Sequence, residues 1–271
     1  MTQIGHGNPG TAVTLPDGTE VTLAWAALTD TGLRREVNED SFVARPPVFA
    51  VADGMGGHAA GDFASAAVVT RLAEHGGRTT VLPAEIGRSL AAAVSDMERS
   101  IGVTDEGSGT TVTGVGLTTV DGAPAWTVFN IGDSRVYLLL DGELEQLTVD
   151  HSIVQELVDA GHITQEEAET HPHSNVITRA VGFHETPVPD YRSVPVVEGM
   201  RLLACSDGLT KELTPYGIRH FLLGSPKPEA AARQLMDAAL GNGGRDNITV
   251  VVLDVVRVRP GDGAAGGADG E

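Results

Sequence analysis

Three apolar runs end on an aspartate beside a glycine: VFAVADG at Asp53-Gly54, VFNIGD at Gly132-Asp133 and LLACSDG at Asp207-Gly208. A fourth aspartate, Asp246, stands in GGRDN immediately before the apolar run ITVVV, and EVNED adds Glu39 and Asp40. Hydrophobic strands with acids at their ends can bring distant carboxylates to one rim of a sheet. Left unpaired, those charges repel and raise one another's pKa; divalent cations remove the conflict and keep the acids ionised. Hard cations such as Mg2+ and Mn2+ take oxygen ligands, usually a few carboxylates with water completing the shell. A neighbouring glycine lets a backbone carbonyl reach the ion with no side chain in the way. One Asp-Gly after a strand is more often a turn than a ligand. Four such aspartates, joined by Glu39 and Asp40, weigh against that reading.

The elements that must position these acids are short strands, read at 21–28, 48–53, 111–120, 125–131, 135–140, 200–207 and 247–258. They are rich in Val, Leu and Ala, some alternating and some apolar throughout, as strands covered on both faces are. The segment 125–140, joined by Gly132-Asp133-Ser134, reads as a hairpin, and Asp141-Gly142 reads as the next turn. Helical patterns fall in two blocks, 58–76 with 83–101 and then 152–161, 164–171 and 227–241. Pro83 suits a helix start, and Thr164 followed by Glu167 is a capping box. Paired helices between groups of strands imply antiparallel sheets faced by helices, not a simple alternating parallel fold.

Composition narrows the function classes. The 271 residues hold 37 Asp and Glu against 18 Lys and Arg, a formal net charge of −19, and 41% are hydrophobic, enough for a sizeable core. An acidic field repels phosphate backbones and anionic headgroups, so nucleic acid and membrane surfaces are not expected partners. One cysteine, Cys205, makes neither an internal disulfide nor a thiolate zinc site. No run approaches the ~18 apolar residues of a membrane span, and a cytoplasmic protein is the simplest expectation. Residues 1–20 read as a flexible lead-in, 21–258 as one folded domain and 259–271 as a disordered Gly, Ala and acid tail.

Six blocks then carry a resemblance: TDTGLRREVNEDSF (29–42), VADGMGGHAAGDFAS (51–65), GTTVTG (109–114), NIGDSRVYLL (130–139), LACSDGLT (203–210) and GGRDNITVVV (243–252). In order and spacing they resemble the metal-dependent serine/threonine protein phosphatases of type 2C, especially their bacterial branch, over roughly residues 22–256. The resemblance implies an α+β fold, a four-layer α/β/β/α sandwich with two central antiparallel sheets. It implies two Mn2+ or Mg2+ ions that activate a water to hydrolyse phosphoserine and phosphothreonine on proteins, reversing a serine/threonine kinase. By the same resemblance Asp53 bridges the ions, Asp207 and Asp246 complete the first ion's protein ligands, and Gly54 offers its carbonyl to the second. Glu39 and Asp40 orient metal-bound waters, and Asp133 with Asp207 matches a third-metal position. Arg35 matches the phosphate-binding arginine. In an extended segment it would share a face with Val37 and Glu39 while Arg34 points away.

Two departures and one segment need separate statement. Where eukaryotic relatives place a histidine after the bridging Asp-Gly, this chain has Met55; His58 follows at the expected start of a helix, and protonation of the leaving group is assigned to a water, not to His58. Cys205 lies in an apolar run, as a buried strand residue would. The segment 149–182 resembles the mobile flap beside the bacterial active site, with the flap taken to about 198 and Arg179 at a family position of undecided role. His171 and His173 would face opposite ways on a strand and lack a third nitrogen or sulfur ligand. Phosphoproteins are the expected partners, and a monomer the expected state. The alternatives are a phosphatase dedicated to one regulatory partner of the anti-anti-sigma type and a catalytically silent scaffold.

Overall fold

A computed structural model of the chain describes residues 1–100, 108–169, 171–183 and 185–261. Up to Met55 the chain forms β1 (Gln3–Ile4), β2 (Gly7–Thr14), β3 (Glu20–Asp30), β4 (Asp40–Arg45) and β5 (Val48–Met55). Helices α1 (His58–Ala73) and α2 (Pro83–Ser100) precede β6 (Gly109–Thr110), β7 (Val112–Val120), β8 (Ala123–Ile131), β9 (Arg135–Leu140) and β10 (Glu143–Gln146). Next come α3 (Ile153–Asp159), α4 (Gln165–Glu169), β11 (Val181–Gly182) and β12 (Asp190–Pro195). The last elements are β13 (Arg201–Cys205), α5 (Asp207–Thr210), α6 (Pro215–Gly224), α7 (Pro228–Asn242) and β14 (Ile248–Arg259).

The strands make two sheets. One orders β1-β4-β5-β7-β8-β12, with β6 and β11 attached beside the end of β5, and the other orders β10-β9-β13-β14-β3-β2. Every strand pair among the described residues is antiparallel except the two-residue β1, which runs parallel to β4. The sheets stack face to face on a core that takes Phe49, Val115 and Trp126 from the first and Trp25, Val136, Leu202 and Val251 from the second. Trp25, Phe49 and Trp126 meet edge to face at ring separations of 5.3 and 6.3 Å. On the outer side of the first sheet, α2 buries Ile86, Leu90, Ala93, Val94 and Met97, the three-and-four spacing of an amphipathic helix. On the outer side of the second sheet, α6 and α7 bury Ile218, Leu222, Leu235 and Met236. Four layers result, α/β/β/α, as the resemblance implies. Strands buried on both sides are largely apolar, and β14 opens on six buried residues of which only Thr249, hydrogen-bonded to Asp40, is polar.

Several expectations are corrected. Gly132-Asp133-Ser134 is not a hairpin turn: β8 belongs to the first sheet and β9 to the second, so Asp133 sits where the chain crosses between them. The Asp141-Gly142 turn does join antiparallel neighbours, β9 and β10, with φ of 51° and 82° at its two residues. Residues 1–20 are not a loose lead-in. β2 pairs along β3 and buries Val13, and Pro9 falls where the register shifts between Asn8 and Thr11 on this edge strand, where a missing N–H is tolerated. Strand β4 and helices α5 and α6 add to the elements expected, and the described part of the tail begins with Arg259 still inside β14. Residues 262–271 lie outside the described residues.

The capping box holds as drawn: Thr164 N–H donates to Glu167 Oε2 at 2.8 Å and Glu167 N–H to Thr164 Oγ1 at 3.2 Å.

Candidate metal centre

Register brings the acids to one rim. In the first sheet Asp40 at the start of β4 is paired with Asp53 near the end of β5. In the second, Cys205 at the end of β13 pairs with Val250 on one side and Arg135 on the other, so Asp207, Asp246 and Asp133 all fall just past that edge. The two rims are joined by Asp40, which is fully buried: its Oδ2 accepts from Ser206 Oγ at 2.8 Å and from Thr249 Oγ1 at 2.6 Å, both on the second-sheet side.

The glycines beside the acids have a role that their spacing alone did not reveal. A Cβ on Gly208 would stand 1.9 Å from the Asn247 carbonyl oxygen, and one on Gly54 would stand 2.2 Å from that of Gly61 in α1. Gly132, at φ 107°, would meet the Thr111 side chain at 2.5 Å, and Thr111 in turn exchanges hydrogen bonds with the Asp53 backbone. Each glycine therefore marks a place where two segments of the site pass closer than a side chain allows. Gly208→Ala is expected to cost about 1–3 kcal/mol and to weaken Mn2+ binding by pushing Asp246 away from Asp207. Urea unfolding and a metal titration measure both, and wild-type values in the two would reduce Gly208 to an ordinary turn residue.

Electrostatics show the strain that the strand-end pattern implies. Burial, together with the charges of Asp40, Asp207, Asp133 and Asp246, drives the Asp53 carboxyl well above the ordinary carboxylate range. Burial raises Asp133 to about 7, with Asp207 and Asp150 adding to it, and burial raises Asp40 to about 7 against the bonds from Thr249 and Ser206. Asp246 behaves otherwise: burial pushes it up, but the Lys211 ammonium and the Arg35 guanidinium outweigh that and hold it below its ordinary value. Asp40 Oδ1 and Asp207 Oδ1 are buried with no hydrogen-bond donor. Unsatisfied buried carboxylate oxygens in an all-oxygen cluster suit hard divalent cations.

The acids are gathered but not closed. Among the described residues no three acidic, histidine or cysteine side chains stand within joint reach of one ion. Lys211 Nζ instead lies 2.5 Å from Asp207 Oδ2 and 3.1 Å from Asp246 Oδ2, and Arg35 forks onto Asp246 through Nε at 2.8 Å and Nη2 at 3.0 Å. Arg35 thus reaches the centre, though not along an extended segment: residues 32–34 form a turn and 36–37 a bend. Asn247 holds that loop, donating from Nδ2 to the carbonyls of Thr31 and Val37 and accepting the Glu39 N–H on Oδ1. The Glu39 carbonyl accepts from Ser65 Oγ at 2.5 Å. Lys211 and Asn247 were both missed in the sequence. The first is signalled only by its place four residues after Asp207, the second only by following Asp246.

The remaining candidates separate cleanly. Met55 ends β5 opposite Gly109, and His58 opens α1. Cys205 is fully buried and its thiol is pushed up to about 12 by desolvation, so it is no nucleophile. Arg179 ties residues within the 149–198 segment: its Nη1 donates to Asp190 Oδ1 at 2.9 Å, while His151 Nε2 meets Asp190 Oδ2 at 3.1 Å and His151 Nδ1 accepts the Gly132 N–H. His171 and His173 sit at a turn, not on a strand, with ring centroids 5.5 Å apart and the His173 N–H donating to His171 Nδ1.

Comparison with known proteins places the chain among relatives. The family model described as Protein phosphatase 2C matches residues 34–241. The chain is 43% identical over 242 residues to the serine/threonine protein phosphatase PstP of Mycobacterium tuberculosis, covering 86% of this chain and 45% of PstP. It therefore spans about half the length of that relative. It is 36% identical over 236 residues to the serine/threonine phosphatase stp of Listeria monocytogenes, covering 83% of this chain and 93% of stp. A crystal structure of the PstP catalytic domain in complex with two manganese ions superposes with a TM-score of 0.76 at 40% identity, covering 88% of this chain and 99% of that one.

Proposed function

The chain belongs to the protein phosphatase 2C family, and from that premise we propose that it hydrolyses phosphoserine and phosphothreonine esters on proteins. The observation that carries this reading is the convergence of Asp40, Asp53, Asp133, Asp207 and Asp246 on one rim between the sheets, with a forked arginine on the outermost of them. In the proposal Asp53, Asp207, Asp246 and the Gly54 carbonyl hold two Mn2+ or Mg2+ ions, and Asp133 with Asp207 offers a third position. When bound, such ions supply Lewis acidity that makes water nucleophilic near neutral pH and offsets charge on the phosphoryl oxygens.

The chain's own groups do the rest. Asp40, fixed by Ser206 and Thr249 and with Oδ1 lacking a donor, is built to orient a water, and Glu39 is assigned the same task. Arg35 is half-exposed, and the fork it presents to Asp246 matches two oxygens of a phosphate. The catalytic domain is taken as 21–258 with β1 and β2 added to its two sheets, and the flap at about 149–198, tied at its base by Arg179, Asp190 and His151. Phosphoproteins are the proposed substrates and a serine/threonine kinase the opposing enzyme. A monomer in the cytoplasm belongs to the same proposal; among the described residues no helix is long and apolar enough to cross a membrane.

The test is turnover on a panel of phosphoserine and phosphothreonine peptides by metal-stripped and Mn2+-reloaded protein. Activity is expected only with Mn2+ and is lost again on adding chelator. A Mn2+-loaded protein inert on every phosphopeptide would sink the general phosphatase reading.

A further inference from the structure

Lys211 closes the single turn of α5, and its backbone is anchored on both sides. Its N–H donates to the Asp207 carbonyl at 2.8 Å, and its own carbonyl accepts from Arg245 Nη2 at 2.8 Å. Arg245 is in turn gripped by Glu212, whose side chain is only 2% exposed. This anchoring aims the lysine stem back along the turn, the i,i+4 direction that brings its ammonium onto Asp207. From there the same ammonium reaches Asp246, at the start of the neighbouring strand. The side chain is 31% exposed, so water can take it up if it leaves.

The two oxygens that hold the ammonium, Asp207 Oδ2 and Asp246 Oδ2, belong to the two residues proposed as protein ligands of one ion. An ammonium and a divalent cation cannot share them without placing like charges a few ångströms apart, where repulsion in a partly buried site is strong. We infer that Lys211 is an intramolecular competitor for the metal: it ties Asp207 to Asp246, and an ion must displace it to bind. This rests on the metal-centre reading of the proposed function. The lysine has two consequences that can be measured apart. It lowers the affinity for the ion, and it stabilises the metal-free fold by compensating two carboxylates.

The experiment is calorimetric titration of metal-stripped protein with Mn2+, together with melting temperatures in chelator and in saturating Mn2+. Wild type is compared with Lys211→Met, Lys211→Gln and Lys211→Arg. The two neutral variants are expected to bind Mn2+ at least about tenfold more tightly and to show a wider gap between metal-free and Mn2+-saturated melting temperatures. Lys211→Arg, which keeps the charge, is expected to stay near wild type. Unchanged or weaker Mn2+ affinity in both neutral variants overturns the inference, and so does an absence of Mn2+ binding in all four proteins. Loss of phosphopeptide turnover with these affinities intact would strike only the proposed function.

Discussion

Asp53→Asn is expected to move activity and metal-free stability in opposite directions. Turnover with Mn2+ should fall at least about a thousandfold, roughly 4 kcal/mol of barrier, because Asp53 is the carboxylate around which Asp40, Asp133, Asp207 and Asp246 are arranged. The same crowding makes it costly in the metal-free protein. Its charge is desolvated and faces four like charges, and asparagine keeps the shape while removing the charge. In chelator at pH 8, where the charge is most fully present, the variant should therefore melt higher than wild type by a few degrees, about 2–4 °C per kcal/mol for a chain of this size. Turnover assays and thermal melts in chelator read the two effects separately. A structural aspartate would give the reverse pattern, with stability lost and turnover only dented. Either retained turnover or a lower metal-free melting point would remove Asp53 from the centre of the site. The expected pattern is that of an active site that holds destabilising charge for use.

A single aspartate after an apolar strand has a bland explanation as a turn residue; the acids were legible because four of them, joined by Glu39 and Asp40, outweigh it. Antiparallel sheets faced by helices were legible from runs apolar on both faces and from the paired helices, whereas the two-sheet sandwich came from the family resemblance. The reach of single turns was less so. Gly132-Asp133-Ser134 has hairpin composition, yet the chain uses it to cross from one sheet to the other, and composition does not record which sheet the next strand joins. The glycines were assigned to carbonyl access at the ion. The spacing of Gly208 against Asn247 and of Gly54 against Gly61 shows that they also let backbones pass, a tertiary constraint between segments far apart in sequence. Pro and Gly in residues 1–20 masked an edge strand, where both are tolerated. Lys211 carries no signal in the sequence, since a lone lysine after an acidic motif is ordinarily solvated; only the fold brings Asp246 to it.

The pH dependence of the metal-free protein should be inverted relative to that of most acidic proteins. Asp40 and Asp133 stand at about 7 in the folded chain and Asp53 stands well above its ordinary value, against 3.8 for an unperturbed aspartate. A carboxyl whose folded pKa is raised binds its proton more tightly when folded, so the slope of unfolding free energy with pH is negative between the two values. The contribution is present below about 4 and lost as pH rises to about 7. Carboxylates held low, such as Asp96 beside Arg71 and Glu212 beside Arg245, have the opposite sign. However, their window lies below the ordinary carboxylate range and leaves the interval from pH 5 to 7.5 to the site. His75 and the N-terminal amine, both lowered mainly by burial, add a rise with pH in windows that end at 6.5 and 8.0, and these two groups oppose three. The melting temperature in chelator should therefore fall from pH 5 to pH 7.5, and Asp133→Asn and Asp40→Asn should each flatten the fall. Binding of the two ions requires the Asp53 proton to leave, and their charge also favours ionised Asp40 and Asp133. Mn2+ affinity should therefore drop at least about tenfold between pH 7.5 and 5.5, and binding should release protons that calorimetry in buffers of different ionisation heat can count. A metal-free melting point that rises across this interval, with Mn2+ affinity indifferent to pH, would mean that these carboxylates are already ionised and that the crowding at the rim carries no energetic weight.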